Sequence, residues 1–147
     1  MKKTVLTSSP DETLEFGRKL GAVLKKGDVV AMDGDLGAGK TLMTRGICEG
    51  MGLDPEWVQS PTFTIVNEYV AEGKTPLFHF DTYRLSGEED FLASGLDEYF
   101  YRDGVVVIEW AALIEPLLPE GALRINISGT GDQRTIELEF PEGRFDI

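Results

Sequence analysis

The residues with the most specific chemistry are Gly34-Asp35-Leu36-Gly37-Ala38-Gly39-Lys40-Thr41. They match the G-x4-G-K-[S/T] phosphate-binding loop in full. Gly34, Gly37 and Gly39 let the backbone turn tightly and aim its N–H groups at one anion. A helical stretch follows, and its positive N-terminal end faces the same anion. In such a loop Lys40 reaches the β- and γ-phosphates and the Thr41 hydroxyl meets Mg²⁺. The chemistry expected is therefore binding, and hydrolysis or transfer, of a nucleoside triphosphate.

A loop of this kind needs an acid for the metal, usually at the end of a neighbouring apolar strand. Two segments offer one: Leu77-Phe78-His79-Phe80-Asp81 and Val105-Val106-Val107-Ile108-Glu109. Spacing alone leaves open which acid meets the metal and which positions the attacking water. Ser60-Pro61-Thr62-Phe63 can present hydroxyls to a γ-phosphate, or can be a turn set by proline. Arg84 can neutralise phosphate charge or pair with a surface acid. Trp110 reads as a core aromatic on sequence physics alone. His79 reads as structural rather than catalytic, and Cys48 as a small buried hydrophobe.

These residues need strands and helices to place them, and the pattern supplies both. Lys3–Thr7 reads as a strand. Ser9 reads as an N-cap, with Pro10 at the first helical position and Glu12 closing a capping box. The helix so opened has its apolar face on Leu14, Leu20, Val23 and Leu24, and is expected to end at Gly27-Asp28. Val29–Met32 is a short apolar strand leading into the glycine-rich loop. A helix over Thr41–Met51 follows, stopped by Gly52. Thr62–Val70 and Leu77–Asp81 read as a strand pair. Ser86-Gly87-Glu88-Glu89 reads as a second capping box, before a helix stopped near Gly95. Gly104–Glu109 is the most apolar strand and so central, and Ala111–Leu118 is a short helix limited by Pro116. Leu123–Ser128 and Thr135–Phe140 alternate apolar and polar residues around a glycine turn, which predicts an antiparallel hairpin. The fold class expected is a single α/β domain over 1–147, with a mixed, mostly parallel sheet flanked by helices and a C-terminal hairpin.

Composition narrows the partners. The chain has 147 residues, 41% of them hydrophobic and 27% charged, with 14 basic and 26 acidic side chains and a net charge of -12. Nucleic-acid binding rests on clustered Lys and Arg, so a broad nucleic-acid surface is excluded. The acidity is uneven: residues 1–73 carry a net -3 and residues 74–147 a net -9. One cysteine and one histidine exclude a disulfide framework, a multi-Cys zinc site and a His-rich metal site. The start, MKKTVLTSSPDE, lacks an apolar stretch of the kind a secretory signal needs. No apolar run approaches the length of about 20 residues that crosses a membrane. The compartment expected is the cytoplasm, without membrane association.

Taken as an ordered set, GDLGAGKT (34–41), SPTF (60–63), NEY (67–69), HFDTYR (79–84), GLDEYF (95–100) and VVVIEWA (105–111) resemble one family closely. They are similar to TsaE (YjeE-like) proteins, the small bacterial ATPases of tRNA threonylcarbamoyladenosine synthesis. The likeness covers nearly the whole chain. It implies a cytoplasmic, Mg²⁺-dependent ATPase that works with TsaB and TsaD. That pair transfers a threonylcarbamoyl group to adenosine 37 of tRNAs reading codons that begin with A. The implied role of the ATPase is to reset the transferase for repeated turnovers, touching tRNA only through the complex.

By the same resemblance, Lys40, Asp81 and Glu109 are the catalytic residues, and Thr41 and Glu109 hold the metal. Asp35, Leu36, Gly37, Ala38, Gly39, Lys40, Thr41 and Leu42 bind the nucleotide, with Thr62 in a nucleotide-sensing loop. Trp110 would then lie near the nucleotide, against the reading as core. Asp35 stands where the family often has Glu. Two other functions use the same loop: a small-molecule kinase, whose lid would have to come from Ser86–Asp103, and a nucleotide-sensing adaptor that does not hydrolyse.

Overall fold

The protein is described from a computed structural model that covers residues 1–34, 39–58, 65–83 and 85–147. Seven strands form one sheet: β1 (Lys2–Thr7), β2 (Val29–Gly34), β3 (Val66–Tyr69), β4 (Leu77–Asp81), β5 (Val105–Glu109), β6 (Leu123–Ser128) and β7 (Arg134–Glu139), in the order β1-β7-β6-β2-β5-β4-β3. The middle four, β6, β2, β5 and β4, run parallel. The strands outside them pair antiparallel: β3 on β4, β7 on β6 and β1 on β7. The mixed α/β fold with its C-terminal hairpin is therefore as expected, and β5 is central, between β2 and β4.

Both faces of the central sheet are buried, which explains why β5 reads as an unbroken apolar run rather than an alternating one. Val105 and Val107 face one core, with Val30 and Met32; it is closed by Leu20 of helix α1 (Pro10–Val23) and by Met43 and Ile47 of helix α2 (Lys40–Gly50). Val106 and Ile108 face a second core with Phe78, Phe80, Phe91 and Ile114. Phe91 lies on helix α3 (Glu88–Ala93), and Leu96 of the following 3₁₀ turn is buried in the same core. Phe91 and Leu96 thus anchor the segment 86–103 in the second core.

Helix α1 fixes the seat of α2 by direct backbone approach. A Cβ added to Gly21 would lie 2.3 Å from the Ile47 carbonyl oxygen, and one added to Gly50 would lie 2.1 Å from that of Arg18. Side chains do not fit there, so the Gly17-x3-Gly21 and Gly46-x3-Gly50 spacings have a packing cause.

Three local readings change. Helix α1 ends at Val23, because the Asp28 carboxylate accepts from the Lys25 N–H at 2.7 Å and closes a turn there. At α3 the N-cap is Gly87, so Ser86 lies one residue outside the helix. Its reciprocal partner is Asp90 rather than Glu89: Asp90 accepts from the Ser86 N–H at 3.0 Å and from its hydroxyl at 2.6 Å. Those two bonds, the hydroxyl's first, hold the Asp90 carboxyl below its usual range. Ala111–Leu117 is 3₁₀ with a break at Ile114, since Pro116 cannot supply an α-helical N–H.

Candidate functional site

The site forms where β2, β5 and β4 end and α2 begins. Gly39, at φ 105°, caps α2 without a side-chain hydrogen bond, so the first N–H groups of the helix have no intrahelical acceptor. Lys40 is the first residue of α2 and is buried. Its Nζ donates to the Gly34 carbonyl oxygen at 2.7 Å and lies 4.3 Å from the centre of the Trp110 ring. The ring's electron-rich face attracts the ammonium there. Trp110 is therefore a half-buried neighbour of the loop lysine, not the core aromatic that the sequence alone suggested.

Trp110 reaches that position through its backbone. At φ 62° it is the one described non-glycine residue with positive φ, a conformation that costs free energy unless its surroundings impose it. Buried Thr82 supplies the constraint. Its N–H and hydroxyl both donate to the Glu109 carbonyl oxygen, and the hydroxyl also donates to that of Trp110. Tyr83, which is exposed, packs on the Trp110 ring at 4.9 Å between centroids.

Beneath this surface lies a chain of polar groups. Glu109 Oε1 accepts from the Thr41 hydroxyl at 3.3 Å, and Glu109 Oε2 is hydrogen-bonded to His79 Nε2. His79 Nδ1 in turn lies 3.0 Å from the Tyr69 hydroxyl. Glu109 is 4% exposed, Tyr69 5% and His79 0%, so protein groups rather than bulk water satisfy them. Asp81 is the register partner of Glu109 in the parallel β4–β5 pair, as Met32 is in β2–β5. Paired positions share a face, so both acids stand on the α2 side of the sheet. The surroundings of Asp81 differ: it is half-buried, and its Oδ1 accepts from the Tyr83 N–H at 2.9 Å.

The donors present can be tested against a divalent cation. Among the described residues no group of three or more His, Cys, Asp or Glu is placed to hold a metal ion. Thr41 and Glu109 offer a hydroxyl and a carboxylate, which are hard oxygen donors. Such a pair suits Mg²⁺, which takes one or two protein ligands and completes its shell with phosphate oxygens and water.

The structure thus brings together Lys40, Thr41, Glu109, Asp81 and Trp110. Gly39 and Leu42 line a small cleft with Pro10, Thr13, Asp132 and Arg134. Asp35, Leu36, Gly37, Ala38, Thr62 and Arg84 lie outside the described residues. Cys48 is buried as expected, and burial, then the charges of Asp54 and Glu49, push its thiol up to about 12. His79, Tyr69 and Thr82 belong to the site although the sequence did not single them out for it. His79 had a usable signal: it precedes Asp81 by two on one strand, so both face α2.

Comparisons with known proteins point to one family. The family profile described as threonylcarbamoyl adenosine biosynthesis protein TsaE matches residues 7–136. The tRNA threonylcarbamoyladenosine biosynthesis protein TsaE of Bacillus subtilis is 45% identical over 142 residues, which cover 96% of this chain and 87% of that protein. The protein of the same name from Haemophilus influenzae is 42% identical over 136 residues, covering 88% and 85%. The crystal structure of Bacillus subtilis YdiB superposes with a TM-score of 0.79 at 38% identity, over 99% of this chain and 89% of that one.

Proposed function

This chain belongs to the TsaE family of tRNA threonylcarbamoyladenosine biosynthesis, and from that premise we propose that it is the pathway's Mg²⁺-dependent ATPase. It binds ATP at the loop 34–41 and hydrolyses it in complex with TsaB and TsaD in the cytoplasm. The cycle resets that pair for further transfer to adenosine 37 of tRNAs reading codons that begin with A. The observation that carries the reading is the meeting of Lys40, Thr41 and Glu109 at the open start of α2.

Each residue then has a defined task. The N–H groups at the start of α2 and the Lys40 ammonium hold the phosphates, which compete for Lys40 with the Gly34 carbonyl. Thr41 and Glu109 would hold Mg²⁺ with a hydroxyl and a carboxylate oxygen. Bound there, the ion would neutralise charge that develops on the transferring phosphoryl group. Asp81, the more solvent-accessible acid, orients the attacking water. Trp110 leans on Lys40 and continues directly from Glu109, so its position responds to whether phosphate has drawn the lysine away. That gives TsaB and TsaD a surface that differs between nucleotide states.

The net charge of -12 suits a subunit that reaches tRNA through protein partners. The test is ATP hydrolysis by the purified protein, alone and with TsaB–TsaD. Stimulation by the pair supports the reading. Hydrolysis indifferent to the pair, together with ATP-dependent phosphorylation of a small metabolite, overturns it in favour of a kinase.

A further inference from the structure

We propose that His79, held by Tyr69, is a positioning residue that commits one oxygen of Glu109 to the sheet interior and leaves the other for Thr41 and the cation. Glu109 then serves as a fixed single-oxygen metal ligand and not as the base that activates water. This rests on the Mg²⁺–ATP reading of the site and assigns the separate roles of its two acids.

The argument starts from lone pairs and protons. A carboxylate only accepts, so the proton on the His79–Glu109 bond belongs to Nε2. In a neutral ring Nδ1 is then an acceptor, and the Tyr69 hydroxyl donates to it. The tautomer is therefore assigned from the carboxylate side of the ring, and the Tyr69 hydroxyl, which can donate or accept, follows it. Tyr69 lies on β3, His79 on β4, Glu109 on β5 and Thr41 on α2, so four elements hold the chain of groups.

Rotating Glu109 toward a water would break a bond to a histidine with no exposed surface. It would leave a buried N–H without an acceptor in a place bulk water does not reach, and such a loss carries the full desolvation penalty of the group. Glu109 is thus held in one orientation, with Oε1 on the Thr41 side. Histidines that orient carboxylate and metal sites from behind act in this way, and their loss typically costs about 10–100-fold in metal affinity or activity. Asp81 stands in different surroundings, half-buried at the end of β4. Its Oδ1 accepts from the backbone N–H of exposed Tyr83, an edge where a carboxylate can meet water.

The test uses the full-length protein with a fluorescent ATP analogue, titrated first in EDTA and then with Mg²⁺, followed by steady-state hydrolysis with TsaB–TsaD. For His79→Leu the expected results are nucleotide affinity in EDTA within twofold of the unmodified protein, an Mg²⁺ midpoint raised about tenfold, and kcat lowered with little change in KM. His79→Gln, which can still donate to Glu109, recovers most of the Mg²⁺ midpoint, and Tyr69→Phe raises it about threefold. Asp81→Asn lowers kcat and leaves the Mg²⁺ midpoint in place.

If His79→Leu does not fold, His79→Gln and Tyr69→Phe decide the matter. A native Mg²⁺ midpoint in Tyr69→Phe, or no difference between the Gln and Leu variants, overturns the proposal. Loss of the Mg²⁺ response in Asp81→Asn overturns the division of roles. Failure of the phosphate-loop reading itself shows separately, as nucleotide binding in EDTA that survives Lys40→Ala.

Discussion

The ends of β4 and β5 hold two acids in the same register, on the same face, one strand apart, and yet in unlike surroundings. Glu109 is buried, bonded to Thr41 on one side and to His79 on the other. Asp81 is half-buried and bonded to the backbone of exposed Tyr83. The strands place both carboxylates equally well. Tyr69 and His79 lie behind Glu109, and on the proposal made above they set the orientation of that acid. Chemistry at a strand end therefore depends as much on what lies behind the side chain as on the side chain itself.

The largest way to break this comparison is to remove the group both acids depend on. Lys40→Ala is expected to weaken ATP binding at least 100-fold by equilibrium titration, after which neither acid has a phosphate to act beside. Next, Glu109→Gln is expected to lower kcat by about 100-fold and raise the Mg²⁺ requirement, while Asp81→Asn lowers kcat by about tenfold to 100-fold at an unchanged requirement. Equal Mg²⁺ responses in the two variants would erase the distinction.

A third perturbation moves the helix that faces both acids. Gly50→Ala brings a methyl to 2.1 Å from the Arg18 carbonyl oxygen. It is expected to cost about 1–3 kcal/mol in denaturant unfolding and to weaken nucleotide binding through displacement of α2.

The smallest effect concerns Cys48, on the buried side of α2. Its thiol is raised from 9.0 to about 12, chiefly by burial. The folded protein therefore holds that proton more tightly than the unfolded chain. The stability this contributes is full below pH 9 and is lost as the pH rises toward 12. A disulfide-exchange reagent at pH 8 is expected to label Cys48 in denaturant but only slowly in the folded protein; rapid labelling of the folded state would contradict its burial.

The elements were legible where a local signal is strong. Ser9 caps α1 and accepts from the Glu12 N–H at 3.2 Å, and Leu77–Asp81 forms the strand that its apolar run predicts. The strand-end positions of Asp81 and Glu109 follow from the same runs. What was not legible depends on contacts distant in sequence. The left-handed turn at Trp110 is held by Thr82, which is 28 residues away, and His79 acquires its role from Glu109, which is 30 away. Neither pairing leaves a local pattern, because each exists only once β4 lies beside β5. The early end of α1 has a different cause: the competing Asp28 side chain lies past Gly27, the glycine expected to stop the helix.

The most direct test of the account is the number of modified tRNAs formed per TsaB–TsaD pair in the presence of this protein. With ATP and the unmodified protein, modification is expected to pass well beyond one turnover. With a non-hydrolysable ATP analogue, or with the Lys40→Ala protein, it is expected to stop near one. Repeated turnover sustained by the analogue would contradict the account and make this chain a nucleotide-sensing adaptor whose occupancy, not hydrolysis, is the signal.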